Sequence, residues 1–255
     1  MLLHAEITPP TGRTADGASE QDADSIVLLH GLMGSTESWH DLVPRLAANG
    51  WRVLAIDLPG HGRSPRDPEL TVARAAASAV RTVQTHLDRP PAAAMGHSYG
   101  GTVLAAGAAA LDPGLAVFVE AALGFTGGSD RATLTRQYAE DAAARTVDAL
   151  RARPGYSVAA AEREARAAQL FDPATSASIS CGADIDEHPP PGSIAVIAEP
   201  SRFVTGAAAT GWQNADIDVR RIPGAAHTPW YGHLDEFVAA LPEVFGVRPP
   251  GYPGQ

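Results

Sequence analysis

The 255 residues include a single cysteine, Cys181, so no intrachain disulfide can form. The simplest reading of that thiol is a reduced, buried or inert group in a cytosolic protein. Lysine is absent, and the 19 basic residues are all arginine. Set against 29 acidic residues they leave a formal net charge of −10. Nucleic acids and anionic membranes need a basic face, so neither is expected as a partner. No apolar stretch approaches the ~20 residues that span a bilayer. The opening residues, Met1 to Glu6, lack the basic region and apolar core of a secretory leader. No internal repeat is visible. These absences point to a cytoplasmic protein whose partner is a small molecule, with association into a homo-oligomer left open.

What is present is a hydrophobic content of 45%, ordinary for a globular chain, in a length common for one large α/β domain. Leu2 to Ile7 is a strand candidate, followed by a polar loop to Ser25. Ile26 to Leu29 is a continuous apolar run, as in a strand buried on both faces of a parallel sheet. Ser35 or Ser38 can cap a helix through Trp39, Leu42, Val43, Leu46 and Ala47, which Asn49-Gly50 stops. Trp51 to Ile56 is the next strand, Leu70 to Leu87 an amphipathic helix, and Leu115 to Val119 a strand ending at Glu120.

Strand and helix therefore alternate, the pattern of a mostly parallel sheet covered on both faces. From about Gly124 the rhythm breaks. Ala132 to Arg153 and Ser157 to Leu170 read as helices with no strand between them, and Asp172 to Pro191 reads as irregular. The alternation resumes with strands over Ser193 to Ala198 and Ile217 to Ile222 and a final helix over Leu234 to Phe245. The expected organisation is an α/β core over residues 1–124 and 192–247. Residues 125–191 form a helical cap insertion, and 248–255 a frayed, flexible tail.

One stretch organises the rest. Gly96-His97-Ser98-Tyr99-Gly100 matches G-x-S-x-G, with an apolar strand before it and an Ala-rich helix after it. The chain must turn sharply at Ser98. Gly96 and Gly100 omit the Cβ atoms that would collide there. The turn presents the Ser98 hydroxyl clear of the backbone, above the positive end of a helix, with the Tyr99 amide free to meet a developing oxyanion.

Four stretches occur in order: His30-Gly31 after a strand, Asp57 to Ser64, the Gly-His-Ser-Tyr-Gly turn, and Gly224-Ala225-Ala226-His227 after the last strand. Together they make residues 20 to 245 resemble the α/β-hydrolase superfamily. The resemblance implies that fold, with a helical cap, a Ser-His-acid triad and an oxyanion hole, and no metal or organic cofactor. Ser98 takes the nucleophile position and needs a base within hydrogen-bond reach. His227 takes the base position, with His233 a distant second. His30, His61 and His97 sit where the family uses histidine structurally.

The acid departs from the usual pattern. The loop after the Ser193 to Ala198 strand, where most members carry it, reads Glu199-Pro200-Ser201-Arg202-Phe203, with Ser201 at the expected Asp position. A serine cannot hold an imidazolium through charge. Some members carry the acid after the strand that follows the elbow helix, which here is Glu120. Glu120 is the expected acid, Glu199 the alternative, and Asp184 and Asp186 remote ones. The oxyanion hole is expected from the Leu32 and Tyr99 amides, with Met33 the alternative for the first. Trp230 and Met33 are expected to contact substrate; Trp39, Tyr231 and Phe125 are weaker pocket candidates. Asp57 is read as holding its own turn, and Arg63 as pairing with a carboxylate.

The expected function is a serine hydrolase of the carboxylesterase or lactonase type, cleaving an ester, thioester or lactone of a small, fairly apolar molecule. Two alternatives stand beside it: carbon–carbon bond hydrolysis on the same triad, and ligand binding on a scaffold whose triad has decayed. Dehalogenase and epoxide hydrolase chemistry are disfavoured, because those relatives use Asp where this chain has Ser98.

Overall fold

The computed structural model describes residues 1–12 and 23–246. Most of the polar loop expected before Ser25, and the tail expected from 248, lie outside the described residues. Seven strands form one sheet: β1 (Ala5–Thr8), β2 (Ser25–Leu29), β3 (Arg52–Ile56), β4 (Ala93–His97), β5 (Ala116–Val119), β8 (Ile194–Glu199) and β9 (Asp218–Pro223). Two short strands, β6 (Gly124–Phe125) and β7 (Ile185–Asp186), pair separately. The large sheet runs β1-β3-β2-β4-β5-β8-β9, with only the edge strand β1 antiparallel to its neighbour. From β2 the chain moves outward to β3 and then returns to place β4 on the other side of β2. The crevice between the carboxyl ends of β2 and β4 is therefore a topological switch point, where open α/β sheets bind ligands.

The central strands are largely apolar because both faces are covered, whereas the edge strands β1 and β9 carry polar, partly exposed residues. Ile26 and Leu28 of β2 join one buried cluster and Val27 and Leu29 join another. Val117 and Val119 of β5 part from Ala116 and Phe118 in the same way. The first cluster is completed by Leu46 of α1 (Val43–Ala48), Phe237 of α9 (Leu234–Ala239) and Val244 of α10 (Pro242–Phe245). The second is completed by α2 (Val72–His86) and α3 (Tyr99–Leu111), through Val72, Ala76 and Val103. Thr71 caps α2 by accepting the Arg74 amide at 3.1 Å.

Several boundaries differ from expectation. The edge strand begins at Ala5 rather than Leu2. The helix expected through Trp39 starts as a 3-10 turn over Thr36–Trp39, capped by Ser35, and only then becomes α1. The final helix is two. Pro242 has no amide to donate and its ring bars helical backbone at Leu241, whose φ is −130°, so α9 ends and α10 begins anew. The expected Ala132 to Arg153 helix splits into α4 (Arg131–Ala144) and α5 (Val147–Arg151), where Thr146 caps the second piece. After α6 (Val158–Gln169), the stretch expected to be irregular contains α7 (Pro173–Ile179). Asp172 caps α7 and Pro173 opens it, a start signal present in the sequence. An eighth helix, α8 (Gly206–Asn214), joins β8 to β9. Among the described residues no helix is long and apolar enough to cross a membrane.

Candidate active site

At Ser98 the chain reverses from β4 into α3 with φ 51° and ψ −120°. For a residue with a side chain this backbone costs ~1–3 kcal/mol and persists only where its surroundings impose it. The imposition comes from glycine. A Cβ on Gly96 would lie 2.5 Å from the Gly100 carbonyl oxygen, and one on Gly100 would lie 2.0 Å from that of Leu29. Strand, turn and helix close together only because both are absent. The Ser98 amide donates to the Val119 carbonyl at 2.8 Å, and the Ser98 carbonyl accepts from Gly101 at 2.9 Å, which ties the turn to β5 and to the helix. Tyr99 is the first residue of α3, so its amide has no acceptor within the helix and sits at the positive end of the dipole.

His227 lies between β9 and α9 and brings Nε2 to 2.9 Å from Ser98 Oγ. Its loop is held from below, where His97 Nε2–H donates to the His227 carbonyl at 2.8 Å. Burial holds the His97 pKa well below its usual 6.5, and the neighbouring His227 adds to this, so His97 is a neutral donor of fixed tautomer. The Phe203 ring lies over His227, with centroids 3.8 Å apart and planes 33° from parallel.

Glu120 occupies the end of β5 in left-handed backbone, φ 47°, and is 1% exposed. Its amide donates to the Val196 carbonyl of β8 at 2.9 Å. Its side chain turns to the same neighbour and to the site. Oε1 accepts the Ala198 amide at 2.8 Å, and Oε2 lies 3.4 Å from His227 Nδ1. A carboxylate this buried needs such partners, since an unpaired one is costly.

These groups open onto a cavity of about 540 Å³, within the size range of small-molecule sites. Leu32 and Gly34 of the loop after β2 line it, as do Trp230 and Tyr231. Arg145, Arg153, Tyr156 and Glu164, from the helical segment between β6 and β7, close another side. Trp230, a lining residue, is 1% exposed and stacked on Trp39 with centroids 4.9 Å apart. Met33 is buried with φ 62° and is not among the cavity's lining residues.

The other candidates fall elsewhere. Glu199 is exposed at the end of β8, and its carboxylate makes no hydrogen bond or ion pair among the described residues. Ser201 Oγ accepts the amides of Phe203 (3.1 Å) and Val204 (2.9 Å) and so shapes the loop that carries Phe203. His233 stands at the N-terminus of α9, with Nδ1 3.7 Å from Glu236. Asp184 accepts the Gly127 amide at 2.9 Å, and Asp186 belongs to β7. Asp57 holds its own turn, accepting the amides of Thr36 (2.7 Å) and Arg63 (2.9 Å), and Arg63 pairs with Glu6 at 3.3 Å. His30 accepts the Leu58 amide at Nε2 and donates from Nδ1 to the Gly31 carbonyl. Burial lowers the His30 pKa to about 4 and the His61 pKa to about 3, so both are neutral spacers under the site loops. Among the described residues no group of three or more His, Cys, Asp or Glu side chains is placed to hold a metal ion. Sequence reasoning missed Phe203, Arg145, Arg153, Glu164 and Arg202 as cavity residues, because no local pattern marks them.

A family model described as the alpha/beta hydrolase family matches residues 26–240. Two relatives match shorter stretches. Epoxide hydrolase B of Mycobacterium tuberculosis is 46% identical over 52 residues, which is 20% of this chain and 15% of that protein. The magnesium-chelatase 30 kDa subunit of Rhodobacter capsulatus is 39% identical over 84 residues, 32% and 29% of the two chains. The chain thus matches less than a third of the length of these relatives. Among solved structures, an enol-lactonase from Burkholderia xenovorans superposes with a TM-score of 0.70 at 19% identity, covering 95% of each chain. An esterase from Rhodococcus sp. does so with a TM-score of 0.70 at 19% identity, covering 94% of this chain and 93% of that one.

Proposed function

The chain belongs to the alpha/beta hydrolase family, and from that premise we propose that it is a serine hydrolase cleaving a carboxylic ester, thioester or lactone of a small molecule. The observation that carries this reading is the file of three side chains from three loops at one sheet edge: Ser98 Oγ, 2.9 Å, His227 Nε2, then His227 Nδ1, 3.4 Å, Glu120 Oε2.

In this reading His227 takes the Ser98 proton as Oγ attacks the carbonyl carbon. The oxyanion is met by the amides of Tyr99 and Leu32, a pair whose loss costs ~3 kcal/mol per donor. His227 then gives its proton to the leaving oxygen or sulfur, and an acyl-Ser98 remains. A water enters, loses a proton to His227 and attacks the acyl carbon; the acid leaves and Ser98 regains its proton. Glu120 stabilises the imidazolium formed in each half. Its 3.4 Å separation from Nδ1 is at the long end for a hydrogen bond and tightens as charge develops on the ring. Residues 125–191 act as the cap, since their side chains complete the cavity wall opposite the sheet.

Carboxylate-based epoxide opening lacks its nucleophile here, because the elbow carries Ser98. The decayed-scaffold reading rests on Ser201; what weighs against it is Glu120, whose Oε2 lies 3.4 Å from His227 Nδ1. A fluorophosphonate probe tests the proposal. It is expected to add one phosphonyl group to wild-type protein at Ser98, located by peptide mass spectrometry, and none to Ser98→Ala, with 4-nitrophenyl acetate hydrolysed by the first and not the second. An unlabelled, inactive wild type overturns the reading in favour of binding without catalysis. Labelling with inactivity on esters but turnover of a vinylogous diketone moves it to carbon–carbon hydrolysis.

A further inference from the structure

Three arginines line the same cavity as Ser98: Arg145, Arg153 and Arg202. Two carboxylates line it as well, and both are committed. Glu120 faces His227 and the Ala198 amide. Glu164 is 6% exposed, binds Arg145 at 2.6 Å and accepts the Tyr231 hydroxyl at 2.9 Å. Arg145 and Glu164 therefore cancel as a partly buried pair. Arg153 and Arg202 have no such counterpart. Both are exposed, and neither guanidinium makes an ion pair or hydrogen bond among the described residues. They come from separate elements, the turn after α5 and the loop after β8, yet converge on one cavity. In a chain of net charge −10, the mouth of the candidate active site is locally positive. Trp230, Tyr231, Tyr156 and Phe203 line the same cavity and give it an aromatic surface beside the two exposed guanidiniums.

Resting on the serine-hydrolase reading, we propose that the substrate carries a carboxylate remote from its scissile carbonyl, and that Arg153 and Arg202 bind it. The planar guanidinium fork matches a carboxylate in two parallel hydrogen bonds, which fixes orientation as well as charge. The scissile group is then delivered to Ser98 in one direction, while the aromatic wall accepts the apolar middle of the molecule. The expected substrate is thus a half-ester, thioester or lactone of a small dicarboxylic acid or an acidic aromatic ester, rather than an uncharged lipid. The partly buried Arg145–Glu164 pair ties the end of α4 to α6.

Two matched ester pairs test the proposal: mono-4-nitrophenyl glutarate beside its methyl-capped neutral form, and 4-acetoxybenzoate beside its methyl ester. Wild type is expected to prefer the anionic member of at least one pair by about tenfold in kcat/KM, equivalent to about 1.4 kcal/mol. That ratio is expected to fall toward one in the double variant Arg153→Gln/Arg202→Gln, with the melting temperature unchanged. Turnover with no anionic preference in either pair, or a preference the double variant keeps, overturns the subsite and leaves the hydrolase reading intact. Calorimetric titration of mono-4-nitrophenyl glutarate into Ser98→Ala separates the two readings. Binding weakened about tenfold by the two arginine replacements supports the subsite even if no ester is turned over, and unaltered or absent binding overturns it.

Discussion

β5 and β8 lie side by side in the sheet, and a glutamate stands at the carboxyl end of each, just after β5 and as the last residue of β8. Glu120 follows β5 in left-handed backbone, is 1% exposed, and spends its two oxygens on the Ala198 amide and on His227. Glu199 closes β8, is exposed, and its backbone carbonyl accepts the Gly224 amide at 2.8 Å. Composition does not separate the two; backbone direction does. A positive φ at the strand end turns the Glu120 side chain back across β8 and under the histidine, whereas Glu199 continues its strand outward. The β8 loop keeps a different task. Ser201 gathers two amides and so presents Phe203 to the face of the His227 ring. One strand end sets a carboxyl group 3.4 Å from the histidine and the other sets a flat apolar ring against it.

The largest effect removes what both strand ends serve. Ser98→Ala is expected to lower kcat by ~10⁶ toward the ester used above, with thermal stability little changed, because alanine keeps the Cβ and with it the strain at φ 51°. Loss below ~10² would mean that Ser98 is not the attacking group. Next comes acid stability, which separates charge at Glu120 from the neutral histidines beneath the site. His30 and His61 titrate near 4 and 3 when folded and near 6.5 when unfolded. Between those values the unfolded chain binds more protons. Stability is therefore full above pH ~6.5 and declines as pH falls toward 4, by about 3 kcal/mol for His30 alone. Urea midpoints measured from pH 7 to pH 4.5 check this; a flat profile contradicts neutral burial. Glu120→Asp shortens the reach to Nδ1 and is expected to cost ~10–10² in kcat with KM little changed, read from ester saturation curves. The smallest effect belongs to the β8 loop. Phe203→Ala removes the ring over His227 and is expected to lower kcat/KM by about tenfold or less, since a ring contact of this kind contributes ~0.5–1.5 kcal/mol.

The turn at Ser98 was legible because its cause is local: Gly96 and Gly100 mark where backbones must touch. The alternation that builds the sheet was legible in Ile26 to Leu29 and in Val117 to Val119, since burial on both faces writes itself as an unbroken apolar run. His227 and Glu120 were legible as residues at strand ends, and the structure brings them together with Ser98. What the chain order hides is contact across the fold. Phe203, Arg153 and Glu164 become neighbours of the site only when the segment of residues 125–191 and the β8 loop close on the sheet edge. The break at Pro242 and the start at Asp172-Pro173 were written locally and follow from proline geometry, so they were readable and missed. The helix over 206–214 is different. Gly206 and Gly211 weaken its propensity, and packing of Ala209 against Ile197 and Val204 compensates.

The account turns on which strand end supplies the acid. The direct measurement is kcat for 4-nitrophenyl acetate with wild type, Glu120→Gln and Glu199→Gln, each with its melting temperature. Gln at 120 keeps an oxygen for the Ala198 amide, so the fold is retained while the charge facing His227 is lost. A fall of ~10³–10⁴ for Glu120→Gln, the scale of a neutralised triad acid, with Glu199→Gln within about twofold of wild type, is the predicted result. A wild-type rate in Glu120→Gln, or the large fall in Glu199→Gln instead, would contradict it.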